Sequence, residues 1–330
     1  MNAIFDFGVR FVVALQGWGN WLSLPMKAFS FLGTEDFFML VLPAIFWCMD
    51  FRLGLQVGFM LLTSASLNDA FKFILHMPRP FWYSSRVKAL SVETTFGAPS
   101  NHAQVAVSLW GVIAARLRRP WAWGAAAALA FLIGLSRLYL GMHFPHDVLL
   151  GWLIGGLLLW LLLKLWDPAA AWLKKRSAIG QLLIGLAASL VLLLPTLLAH
   201  AWLQANWTIP QAWLDNAALA LPNGPAPAPL ALDGPISNAG ILFGLTAGLV
   251  WLMRLGGFKM EASWWKLVLR YLLGVAGVLL LRYGLKAVFP EGANLLAYSL
   301  RYLRYALIGF WVTGGAPWAF LRTKLAVRPA

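Results

Sequence analysis

The segment SRLYLGMHFPHDVLLGW, residues 136 to 152, sets a serine, an arginine, two histidines and an aspartate between two long apolar runs. Ionisable residues at the end of an apolar segment are costly and mark a functional site. Pro145 suits the first turn of the following helix, so His143 and Asp147, four apart, could share one helical face with the carboxylate turned toward the imidazole. A histidine oriented in that way is a better nucleophile or base than a histidine alone.

The apolar runs on either side of this segment are typical of the whole chain. Of 330 residues, 61% are hydrophobic and 12% charged, with 19 Trp and a mean hydropathy of +0.72. A soluble core of that size could not hide so much apolar surface, which identifies an all-α, polytopic membrane bundle. The net charge of +14 comes from short Lys/Arg clusters between apolar runs, a topology signal rather than a nucleic-acid surface. The single cysteine, Cys48, provides neither a disulfide nor a thiol metal site. The first 21 residues lack the pattern of a removable signal peptide.

Taken in order, residues 1–32 predict amphipathic interfacial helices, because Asp6, Arg10, Gln16, Asn20 and Lys27 interrupt the apolar residues. A first span centres on 37–49 and borrows residues from about Phe29; a second covers 53–74 and turns polar at its end. Further spans are expected near 101–115, 121–141, 147–166, 179–202, 236–254, 266–288 and 294–319, about nine in all. The Ala/Pro-rich stretch 203–235 predicts an irregular loop. The expected organisation is therefore N-terminal helices over 1–32, a catalytic core over 33–176 and additional membrane helices over 177–330.

With nine spans, the basic clusters at Arg52, 116–119, 164–176, 254–266 and the tail share one side, which the positive-inside rule makes cytoplasmic. Loops 72–102 and 136–147 then lie together on the outer face of the cytoplasmic (inner) membrane. Lys286, Arg301 and Arg304 break the pattern; they either snorkel, the ordinary reading, or bind anionic head groups.

Three constellations occupy those outer ends: Lys72 with Arg79-Pro80, Pro99-Ser100-Asn101-His102, and Ser136-Arg137 with His143 and Asp147. Lys72, Arg79 and Arg137 are the cations that neutralise phosphate, the arginines as planar forks. Pro99-Ser100 looks like a helix start, whose free N–H groups at 100–102 could point at an anion. His102 beside them could protonate a leaving oxygen while His143 attacks phosphorus, and Asp147 would fix the His143 tautomer.

These three motifs resemble those of the type 2 phosphatidic-acid phosphatase superfamily, K-x6-R-P, P-S-G-H and S-R-x5-H-x3-D, with every internal spacing met across about residues 30–166. Its members include membrane lipid phosphatases and soluble vanadium haloperoxidases. The resemblance implies a metal-independent phosphatase without cofactor, with His143 as nucleophile, His102 as general acid, and Lys72, Arg79, Ser100, Ser136 and Arg137 holding phosphate. Asn101 stands where the family has Gly. Asn tolerates left-handed backbone, so the turn can survive, while its side chain crowds the phosphate pocket.

Plainer readings compete with these. Lys72 could simply pair with Asp69 in one helix, and Ser136-Arg137 could simply close another. His102, His143, His146 and Asp147 could ligate zinc, though that leaves two arginines and a lysine unexplained. His146 reads as a supporting residue, His76 and His200 as interfacial, and the Trp and Tyr residues as membrane belts. Residues 177–330 carry no motif; they could pack on the core, shape a lipid portal or mediate self-association into a homo-oligomer. The expected partners are membrane lipids and a lipid phosphate substrate such as phosphatidate, phosphatidylglycerol phosphate or a polyprenyl diphosphate. A phosphotransferase using the same residues, and a lipid-binding or transport protein without turnover, are the alternatives.

Overall fold

The computed structural model describes residues 3–329, except for the side chains of residues 35 and 36. Among the described residues every regular element is helical and no strand forms. In chain order these are α1 (Ala3–Gln16), α2 (Ser23–Phe31), α3 (Glu35–Ala44), α4 (Phe51–Leu75), α5 (Pro80–Tyr83), α6 (Asn101–Leu117), α7 (Pro120–Tyr139), α8 (Pro145–Lys174), α9 (Ala178–Asn206), α10 (Gln211–Ala220), α11 (Asp233–Arg254), α12 (Trp264–Leu279), α13 (Leu285–Val288), α14 (Leu295–Phe310) and α15 (Ala316–Arg322). Wider π turns extend α3 through Met49, join α12 to α13 and join α14 to α15.

Among the described residues five helices are long and apolar enough to cross a membrane: α7, α8, α9, α11 and the run Trp264–Val288. One face of α8 carries Leu149, Leu153, Leu157 and Trp160, all at least 55% exposed. Their spacing of three to four residues makes one apolar stripe, which suits hydrocarbon as its solvent.

The chain divides into two compact units, each assembled from three stretches, and α4, α8 and α9 contribute residues to both. The first unit takes residues up to Phe38, Leu67–Leu161 and Pro195–Ala231. Its core joins Leu15, Ala103, Leu138 and Val148, with Ala106, Ala130 and Ile133 in a second cluster. Close approach of α6 and α8 rests on Gly151 and Gly155. A Cβ on Gly151 would lie 2.6 Å from the Ser100 carbonyl oxygen, and one on Gly155 would collide with that of Gln104. Small residues four apart are the usual way for membrane helices to bring backbones together. Here they set the first turns of α6 and α8 side by side, where the Ser100 N–H donates to the Asp147 carbonyl at 3.0 Å.

Two local expectations are revised. The helix over 37–49 does not borrow residues from Phe29, because α2 ends at Phe31 and the chain turns at Gly33, packed against Ile133 and His102. The Ala/Pro-rich stretch is not wholly irregular: α10 forms within it, its Trp213 packs on Trp82 and its Asn216 side chain donates to the Trp82 carbonyl. The same stretch reaches the loop between α5 and α6, where the Ala228 N–H donates to the Thr94 carbonyl at 2.9 Å.

The second unit comprises Met39–Ser66, Leu162–Leu194 and residues from Leu232 onward. Phe46, Trp47, Leu242, Leu245, Leu252, Val312 and Phe320 form its core. Trp47 Nε1 donates to the Val312 carbonyl, and the buried Arg270 guanidinium donates to the carbonyls of Trp47, Met260 and Leu325.

Candidate active site

The first unit brings the ends of five segments together. Lys72 lies in the last turn of α4, Arg79 just before α5, Ser100 to His102 at the start of α6, Arg137 in the last turn of α7, and His143 to Asp147 at the start of α8. Tight turns decide two of these placements. Gly141, at φ +76, follows the end of α7 and turns the chain toward His143. At α8, Pro145 occupies the first helical position and Asp147 Oδ2 accepts the Phe144 N–H at 2.8 Å, closing the helix start.

His143 therefore precedes α8 instead of sharing its face, and Asp147 reaches back to it: Oδ2 is 3.5 Å from His143 Nδ1. On the other side of the ring, Nε2 lies 3.4 Å from Arg79 NH1. These contacts favour the tautomer with the proton on Nδ1 and the lone pair on Nε2. Burial, reinforced by the charges of Arg79, Arg137 and Lys72, pushes His143 well below the ordinary imidazole pKa, so the ring is neutral at pH 7.

The guanidinium of Arg79 is fully buried. Its Nε donates to the Thr95 carbonyl (2.7 Å), NH1 to the Met142 carbonyl (3.0 Å), and NH2 to Thr95 Oγ1 (3.0 Å) and the Phe96 carbonyl (3.2 Å). Arg137 NH1 donates to Ser30 Oγ in α2 at 2.7 Å, and its Nε has no hydrogen-bond partner. The two forks meet on one carboxylate. Glu93 Oε1 lies 2.7 Å from Arg137 NH2 and its Oε2 3.3 Å from Arg79 NH2. Burial alone would raise the Glu93 pKa, but Arg79 and Arg137, helped by His102 and Lys72, overcome it and hold the group at about 2.

Lys72 Nζ joins the same cluster through Thr95 Oγ1 at 3.0 Å. Ser100 caps α6, its Oγ accepting the Ala103 N–H at 3.4 Å. Asn101 is the first residue of α6 and is not among the residues with positive φ. No left-handed turn is needed there, because the chain enters the helix directly. Ser136 is buried in α7 and donates to the Ile133 carbonyl at 2.6 Å, so its hydroxyl proton is already engaged. His146 stacks on Phe144 with 5.2 Å between centroids and meets the edge of Phe5 from α1. Among the described residues no group of three or more His, Cys, Asp or Glu side chains is placed to hold a metal ion.

Ser30, Glu93 and Thr95 escaped the motif reading. Glu93 had one signal: it is the only carboxylate between Asp69 and Asp147, a stretch holding Lys72, Arg79 and Arg137. Ser30 had none.

Comparison with known families adds to this geometry. The model of the PAP2 superfamily matches residues 53–170, and that of the PAP2 superfamily phosphatase transmembrane extension matches residues 236–328. Glucose-6-phosphatase 3 of Rattus norvegicus is 30% identical over 243 residues, covering 66% of this chain and 68% of that protein. The chain belongs to the PAP2 superfamily. Phosphatidylglycerophosphatase B of Bacillus subtilis is 31% identical over 160 residues, covering 44% of this chain and 76% of that one. The human glucose-6-phosphatase 3 is 32% identical over 187 residues, and there the chain spans about half of the relative's length, 54%. Family membership and the apolar helices together make the chain a multi-pass membrane protein.

Proposed function

We propose that this chain is a metal-independent phosphatase that cleaves phosphate esters of membrane lipids through a phosphohistidine at His143. The observation that carries the reading is the meeting of Arg79 and Arg137 on a single carboxylate next to the lone pair of a neutral histidine. That arrangement can hold a phosphate dianion and present a nucleophile to it.

In this reading the substrate phosphate takes the place of the Glu93 carboxylate between the two guanidiniums. Glu93 keeps 24% of its side chain exposed, and in this reading it turns toward that exposed side. Lys72 and the first N–H groups of α6 add positive field. His143 Nε2 attacks phosphorus as the P–O bond to the lipid breaks, and His102, which takes up a proton as the phosphate dianion binds, gives that proton to the leaving oxygen. Asp147 stabilises the charge that develops on His143 through the Nδ1 side. Water then attacks the phosphorus of phosphohistidine, His102 takes back a proton, and inorganic phosphate leaves with His143 neutral again. Ser100 holds the helix start that faces phosphate, and Ser136 contributes a hydroxyl oxygen at its edge. Asn101 narrows the same opening and bears on head-group choice.

The proposed topology has about nine membrane crossings, including α4, α6 and the pair joined at Trp311–Gly315, with α1 and α2 at the interface. The basic clusters lie in the cytoplasm and the site opens on the outer face. A lipid enters sideways and water from outside. Relatives named phosphatidylglycerophosphatase B and undecaprenyl-diphosphatase support an amphiphilic substrate. A water-soluble sugar phosphate is the second reading, favoured by the coverage of the rat relative named glucose-6-phosphatase 3.

Phosphate release from phosphatidate, phosphatidylglycerol phosphate, a polyprenyl diphosphate and glucose 6-phosphate, with chelator present, tests the reading. Chelator-resistant release that His143→Ala abolishes is expected. Release that survives His143→Ala refutes the nucleophile, and release from glucose 6-phosphate alone replaces the lipid reading with the second.

A further inference from the structure

In the second unit, the first residues of α11 and α14 and the turn after α13 enclose a cavity of about 460 Å³. Asp233, Lys286, Glu291, Tyr298, Arg301 and Arg304 line it. Two of its cations are matched: Lys286 Nζ lies 3.2 Å from Glu291 Oε1, and Arg301 pairs with Asp233. Both pairs stand at the mouth, where the two carboxylate side chains are 65% and 56% exposed.

Arg304 differs from both. It is only 6% exposed, and its Nε has no hydrogen-bond partner. Its guanidinium lies 5.2 Å from the centroid of the Tyr305 ring, and among the described residues no carboxylate pairs with it. It sits nine residues into α14, about 13 Å from the start of that helix, one turn below Arg301 on the same face. A buried guanidinium without a counter-charge is costly, and more so in a membrane protein. Arg304 lines the cavity, so that opening is where a counter-charge can reach it.

We propose that this cavity is an anion-binding site that takes a phosphate group, with Arg304 at its floor and Arg301 on its wall. The planar forks of two arginines one turn apart suit the oxygens of one phosphate. A phospholipid head group and free inorganic phosphate share that chemistry. The site is separate from the His143 cluster, and its test does not depend on turnover.

The full chain in nanodiscs of phosphatidylcholine with or without phosphatidylglycerol is released for native mass spectrometry, as wild type, Arg304→Gln and Arg304→Lys. Wild type is expected to retain one phosphatidylglycerol per chain more than Arg304→Gln, with Arg304→Lys between them and phosphatidylcholine retained equally. In a second arm, inorganic phosphate is added and Tm recorded. Equal lipid retention, with a larger phosphate-induced Tm rise in wild type than in Arg304→Gln, assigns the site to free phosphate, since the His143 cluster contributes equally to both proteins. If Arg304→Gln does not fold, Arg301→Gln replaces it. Retention and phosphate response both unchanged in a folded variant overturn the proposal.

Discussion

Replacing Glu93 with glutamine should tighten the binding of inorganic phosphate while it weakens the fold. Glu93 is held at about 2 from an ordinary value of 4.5, so at about 1.4 kcal/mol per unit its ionised form gains about 3 kcal/mol from the cations around it. The shift is downward, so this stabilisation is complete above pH 4.5 and disappears as the pH falls toward 2. Glutamine keeps the shape and removes the charge. Arg79 and Arg137 then lack their counter-charge, and incoming phosphate no longer competes with a carboxylate. The inhibition constant of phosphate should fall by up to about a hundredfold, the ratio that about 3 kcal/mol allows. Over the same change Tm at neutral pH should drop, and the loss of stability between pH 4.5 and 2 should become shallower. Competition between phosphate and an amphiphilic substrate at steady state, with thermal melts across pH, reads both effects. Unchanged or weaker phosphate inhibition in a folded Glu93→Gln protein would refute the idea that the carboxylate stands where phosphate binds.

His102→Ala should slow release of an alkyl leaving group by about 10²–10⁴ but leave a nitrophenyl ester much less affected, because the latter needs no proton on departure; comparing kcat for the two esters checks it. Ser30→Ala removes the partner 2.7 Å from Arg137 NH1 and should cost about 1–3 kcal/mol, read as a raised KM and a lowered Tm. Gly155→Ala places a methyl group against the Gln104 carbonyl and should destabilise the α6–α8 contact by about 1–3 kcal/mol, with kcat falling as Ser100 and Asp147 separate. A Tm equal to wild type for Gly155→Ala would mean that the two helices do not depend on that glycine.

Much of the site could be read from the sequence because its residues lie within short, fixed spacings at helix ends. Local geometry carries that information: Pro99-Ser100 starts a helix, and Pro145 with Asp147 starts another. The spacing from His143 to Asp147 suggested one helical face, whereas a cap explains it better, since the carboxylate is tied to the Phe144 N–H. What remained hidden depends on tertiary packing. Ser30 reaches Arg137 across 107 positions and Glu93 reaches it across 44, and no periodicity encodes such a distance. The N-terminal helices suggested an interfacial role, and nothing in their sequence signalled the contacts of Ser30 with Arg137 and of Phe5 with Phe144. Hydropathy drew 266–288 and 294–319 as single runs, and wider turns at Leu280–Gly284 and Trp311–Gly315 lie within them.

The most direct test of the mechanism is to quench turnover of a phosphate-labelled lipid rapidly, digest the protein under alkaline conditions and locate the label by mass spectrometry. The account predicts an acid-labile phosphoryl group on His143, seen with chelator present and absent in His143→Ala. A labelled residue other than His143, or full turnover by His143→Ala with no phosphoprotein at all, would contradict it.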